Sequence, residues 1–93
     1  MYATVRTYSD SPEMADSLVS REDDVRNLIG GIDGFRAYYV IRTDGGAVTV
    51  SVFDDEAGAS ESTRVAAEWI RQNLPEISGS TPQVSAGEVV ISA

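Results

Sequence analysis

Residues 34–53, GFRAYYVIRTDGGAVTVSVF, decide how the rest of the chain is read. Two runs rich in β-branched and aromatic residues flank Asp44-Gly45-Gly46, residue types suited to a tight turn, so the segment reads as a β-hairpin. With two residues in the turn, Ala37, Tyr39 and Ile41 share a face with Val48, Val50 and Val52. Arg36, Tyr38, Val40, Arg42, Thr49, Ser51 and Phe53 occupy the other face. The apolar set is expected to pack on helices and the polar-aromatic set to face away from them.

Upstream, residues 2–8 (YATVRTY) alternate as a strand should, with Ala3 and Val5 matching the apolar face and Tyr2, Thr4, Arg6 and Tyr8 the other. Ser11 suits a helix cap, Pro12 the first helical position, and Glu13 and Asp16 the positive end of the helix dipole. Met14, Leu18, Val25, Leu28 and Ile29 then recur at helical spacing, predicting one helix that stops at Gly30-Gly31. Downstream of the hairpin, Asp54-Asp55 caps a second helix running to about Leu74. Its inward stripe is Val65, Ala66, Trp69, Ile70 and Leu74, with Ser62 and Asn73 among them, and Pro75 ends it. EISGSTP, 76–82, reads as a loop, and QVSAGEVVIS, 83–92, as a last strand bent at Gly87.

The order β-α-β-β-α-β over one domain, residues 1–93, predicts an antiparallel four-stranded sheet with strand order 4-1-3-2 and both helices on one face. That is an α+β, ferredoxin-like arrangement. It makes 34–42 a nine-residue edge strand without Lys or Pro, an aggregation hazard if left bare. Arg6, Arg36, Tyr38, Arg42 and Phe53 are expected to form a dimer face on the open side of the sheet, since Tyr and Arg favour the centres of such interfaces. The competing reading is a monomer with an uncovered sheet.

The 93 residues include no cysteine and no histidine. Disulfides and thiolate metal sites are therefore excluded, together with the commonest general base and the commonest zinc or haem-iron ligand. Oligomerisation is the remaining way to stabilise so small a chain. Acidic residues number 15 against 7 basic ones, all arginine, for a net charge of −8. Such a field repels nucleic acids and anionic membranes, so neither is an expected partner. The same excess of carboxylates would suit a halophile, whose salt screens the self-repulsion. No apolar run reaches the ~18–20 residues of a membrane span, and the N-terminus lacks the pattern of a signal peptide, so a cytoplasmic location is expected.

The stretch 34–74 also resembles the second half of small dimeric α+β barrel proteins of the antibiotic biosynthesis monooxygenase type. The resemblance rests on Gly34-Phe35, Tyr38-Tyr39, the turn at Asp44-Gly45, Phe53, and Ala59 to Ser62. It implies a homodimer and, in members of known chemistry, cofactor-free oxidation of polycyclic aromatic substrates or haem degradation. Cofactor-free members use an Asn near the first strand with a Trp and a Tyr around a pocket between sheet and helices. Here the only asparagines are Asn27 and Asn73, and the first strand has Arg6 instead. Haem degradation of that type needs a helical histidine, which this chain lacks.

On this basis the candidate ligand pocket is Tyr39, Ser62, Ala66, Trp69 and Asn73, suited to an apolar or aromatic small molecule, with no cofactor and no metal implied. Ala66 would leave space beside Trp69, although the preferred reading of Trp69 is a core anchor. Asn73 would polarise a substrate oxygen, or else bond carbonyls near its helix end. Asp54-Asp55 reads as a cap, not as a catalytic pair. The alternative is a non-catalytic dimeric association module.

Overall fold

The computed structural model of the chain describes residues 1–77, 79 and 81–93. The elements are β1 (Tyr2–Tyr8), α1 (Met14–Val19), α2 (Glu22–Gly30), β2 (Phe35–Thr43), β3 (Gly46–Phe53), α3 (Glu56–Asn73), a 3₁₀ turn (Pro75–Ile77) and β4 (Gln83–Glu88). They build an antiparallel sheet of order β2-β3-β1-β4, the order expected from the sequence read from its other edge. The fold is ferredoxin-like. Of the loop expected over 76–82, Ser78 and Ser80 lie outside the described residues.

Local chemistry accounts for most boundaries. Gly45 takes φ +81° in the hairpin turn, a conformation that costs a glycine nothing. At Gly46 a Cβ would lie 1.6 Å from the Tyr8 carbonyl oxygen, so only glycine lets β3 approach β1 there. Asp55 caps α3 by accepting the Gly58 N–H at 3.1 Å, worth about 1 kcal/mol. The single helix expected over 12–29 is instead two. The Ser20 hydroxyl donates to the Ser17 carbonyl and the Arg21 N–H to the Leu18 carbonyl, which tightens and ends α1 before α2 begins. Neither Pro nor Gly marks this break, so periodicity alone runs straight through it. Glu13, not Ser11, precedes α1 as its cap residue.

The hairpin register is the expected one, with Tyr39 opposite Val50, Ile41 opposite Val48 and Ala37 opposite Val52. The sides of the sheet are exchanged, however. Thr4, Arg6, Tyr8, Ala47, Thr49, Ser51 and Phe53 are buried under the helices, and Tyr38 and Val40 pack with them. Tyr39 and Ile41 are 58% and 47% exposed on the opposite side. Arg6, Tyr38 and Phe53 therefore do not form the open face, and Tyr39 does not face the helices. Arg42, opposite the buried Ala47, lies on the helix side and pairs with Asp16 of α1 at 2.6 Å. Arg36 sits in a bulge between Phe35 and Ala37 and pairs with Asp54.

The physical reason lies in the helices. Met14, Leu18, Val25, Ile29, Ala59 and Leu74 supply most of the apolar contact on their side of the sheet, leaving room for polar strand residues between them. The aliphatic strand face is left open. In register it forms three rows: Ala37, Val52, Ala3, Gly87; then Tyr39, Val50, Val5, Ser85; then Ile41, Val48, Thr7, Gln83. No charged residue falls in those rows.

Candidate functional site

The space between sheet and helices has a polar centre and apolar walls. Arg6, near the middle of β1, is 5% exposed. Its Nη1 donates to Ser51 Oγ of β3 at 3.2 Å, and its Nη2 donates to Ser62 Oγ of α3 at 3.3 Å and to Thr63 Oγ1. Both α3 hydroxyls in turn donate to the Ala59 carbonyl, Ser62 at 2.8 Å and Thr63 at 3.2 Å. That bond turns their lone pairs toward the guanidinium. One helical turn, 59–63, thus holds a buried cation by dipoles alone.

Burial pushes the Arg6 guanidinium below its ordinary value and raises the Tyr8 phenol. Burial likewise pushes the Tyr38 phenol up to about 12, from an ordinary value of 10.0. Both phenols are therefore neutral at neutral pH. A phenol whose folded-state value is raised lends stability that is intact below about pH 10 and is lost as pH climbs toward 12. For Tyr38 the loss at pH 11 is on the order of 1 kcal/mol. Urea midpoints at pH 9 and pH 11 are expected to diverge in the wild type and to diverge less in Tyr38→Phe. An equal divergence in both proteins would assign the loss elsewhere.

Three spaces adjoin this centre. A groove of about 490 Å³ runs between α1–α2 and β2, lined by Leu18, Val19, Glu22, Val25, Arg26, Ile29, Phe35, Tyr38 and Val40. Leu18, Val25, Ile29 and Tyr38 are shared with an inner cavity of about 20 Å³, which also touches Arg6, Tyr8, Thr49, Ala66 and Trp69. On the far side of Arg6 lies a third space, of about 110 Å³, under α3 and β4.

Of the pocket residues expected from the sequence, Ala66 and Trp69 line the inner cavity and Ser62 bonds Arg6. The room beside Ala66 there amounts to one water molecule at most. Trp69 is held by the Arg21 guanidinium, 5.4 Å from its ring centroid. Asn73 Nδ2 donates to the Trp69 carbonyl at 3.0 Å, a bond within the helix, and Tyr39 lies across the sheet. The residues that sequence reasoning missed are Tyr8, Thr49, Ser51 and Thr63, all polar, the three on strands having been placed on the side taken to be open. Their signal was the unbroken run of Val and Ala on the alternate strand positions, a face fit for a second dry interface. Among the described residues no cluster of carboxylates could hold a metal ion, and no helix is long and apolar enough to cross a membrane.

No family model matches the sequence, and no curated protein does. Solved structures do. A protein of unknown function from Nitrosomonas europaea superposes with TM-score 0.70 at 20% identity, over 99% of this chain and 90% of that chain. A dimeric ferredoxin-like protein from an uncultured marine organism gives 0.63 at 10%, over 99% and 95%. SnoaB, a cofactor-independent oxygenase from Streptomyces nogalater, gives 0.60 at 16%, over 98% and 92%. At these identities the likeness is one of fold. It is the fold that the resemblance to antibiotic biosynthesis monooxygenase-type proteins implied.

Proposed function

We propose that the chain is a homodimeric binding protein for an apolar aromatic small molecule, seated in the groove between α1–α2 and β2. The observation that carries this reading is the groove itself. Its volume of about 490 Å³ falls within the range of small-molecule sites, and its walls combine Leu18, Val25, Ile29 and Val40 with the rings of Phe35 and Tyr38. Support for the homodimer comes from the uncharged aliphatic face described above and from a structural neighbour that is itself a dimer. Cofactor-free oxygenation, the activity of SnoaB, is the finer version of the same reading. It has weaker support, because the two phenols nearest the groove's inner end are poor bases and the chain has no histidine.

The test uses 1,8-dihydroxyanthrone, with quenching of Trp69 fluorescence for binding and an oxygen electrode for turnover. Saturable quenching that weakens at least about tenfold in Val25→Phe, which fills the groove without adding a second indole, is the expected result. Oxygen uptake above the protein-free rate would add the oxygenase; binding without uptake would leave a binding protein. Absence of quenching, or equal quenching in Val25→Phe, would overturn the groove as the site.

A further inference from the structure

Charge accounting singles out Arg6. The chain has 15 acidic side chains, and Arg21, Arg26, Arg36, Arg42, Arg64 and Arg71 each stand within 4 Å of one. Those six arginines are solvent-exposed, where an ion pair contributes little. Arg6, the seventh and the one buried, has no carboxylate among the described residues. Its neighbours supply only neutral hydroxyls. A guanidinium offers five N–H donors; three are taken by Ser51, Ser62 and Thr63, and the structure gives the other two no protein partner among the described residues. Buried charges are ordinarily paired, because an unpaired one is costly. A fold that keeps such a group in an otherwise carboxylate-rich chain has left a place for an external anion.

The place is the space of about 110 Å³ beneath α3 and β4. Its polar wall is Arg6, Tyr8 and Thr63, and its apolar wall includes Met14, Ala66 and Ile70. The space opens to solvent past Thr63, Ala67 and Val84 and has room for an acid of about three to five carbons, given that roughly 150 Å³ accommodates benzene. One cation matches one negative charge, and the protein's net charge of −8 disfavours di- and trianions such as phosphate esters. A carboxylate oxygen can take one of the two remaining N–H groups, those of Nε and Nη1, which lie on different edges of the guanidinium, and the methyl and methylene groups behind it fit the aliphatic wall. We propose that Arg6 binds the carboxylate of a small monocarboxylic acid held in this cavity, with its alkyl body against Met14, Ala66 and Ile70. The site is separate from the groove and does not depend on the groove being occupied.

Isothermal titration and thermal unfolding of the full chain at constant ionic strength test it, with sodium butyrate, butyramide and sodium chloride as probes. Butyrate is expected to bind saturably, at least about tenfold more tightly than butyramide, and to raise the melting temperature where equimolar chloride does not. Across acetate to octanoate, affinity should peak near butyrate. Arg6→Gln should abolish the preference for butyrate over butyramide, and Arg6→Lys should retain part of it. Equal binding of butyramide, a chloride effect equal to that of butyrate, affinity that climbs steadily through octanoate, or an Arg6→Gln protein that binds butyrate unchanged would each overturn the proposal. No binding of butyrate by the wild type would do the same. The wild-type probe series and Arg6→Lys decide the matter even if Arg6→Gln does not fold.

Discussion

Val50→Asp is expected to halve the solution mass of the protein, from twice 9.9 kDa to 9.9 kDa by light scattering at micromolar concentration. Val50 sits in the middle row of the open face, between Tyr39 and Val5 on neighbouring strands. A second copy docked there would bury the rows of alanine, valine, tyrosine and isoleucine, each aliphatic side chain contributing about 1.5–3 kcal/mol when fully buried. A carboxylate at that point would have to lose its water with no cation in the three rows to receive it. A two-fold interface would place two such carboxylates, each added to a protomer whose other groups already sum to −8. The dissociation constant should rise by at least about a hundredfold. Far-UV circular dichroism should keep its helical signal, because the Val50 side chain faces away from the helices. A Val50→Asp protein that stays at the dimer mass would remove this face from consideration as the interface.

Phe53→Ala should do the opposite, leaving the interface alone and damaging the fold. Phe53 is fully buried, packs edge-on to Phe35 with centroids 5.9 Å apart, and lies close beneath Gly58 of α3. A Cβ on Gly58 would come 2.9 Å from the Phe53 ring, so helix and ring already touch. Removing the ring leaves a cavity at the point where α3 starts, at a cost of about 3–5 kcal/mol. For a chain of this size that lowers the melting temperature by at least about 15 °C. Thermal and urea melts give the measurement. A Phe53→Ala protein as stable as the wild type but monomeric would restore Phe53 to the dimer face expected from the sequence.

These two substitutions address the step that the sequence did not settle. Turn chemistry at Asp44-Gly45, the Asp55 cap and the alternation of β1 and β3 gave the element order, the strand order and the hairpin register. The rule that apolar strand faces meet helices then assigned the wrong side, because it assumes one interior. This sheet has two faces to cover, and the helices carry enough aliphatic side chains to need little from the strands. Periodicity reports which residues share a side; it does not report which side a helix will cover. For the same reason Ser62, Ala66 and Trp69 were legible as inward-facing positions of α3. Arg6, Tyr8, Tyr38, Thr49 and Ser51 were read as belonging to the open side. The break at Ser20-Arg21 escaped notice because it arises from a serine side chain bonding the backbone one turn back, with no change in hydrophobic spacing.

The bulge at Arg36 bears on how the gene tolerates change in length. Because two residues of β2 span one step of β3 there, Phe35 and Ala37 both keep their partners while Arg36 takes no place in the ladder. Loss of a single codon at 36 would remove the bulge and leave every cross-strand pair of the strand in place, that of Phe35 with Phe53 included. A codon lost anywhere between 37 and 43 would instead shift the segment on one side of it by one place and interchange its two faces. Position 36 is thus the place in the strand where a residue can be lost without changing which side its neighbours face.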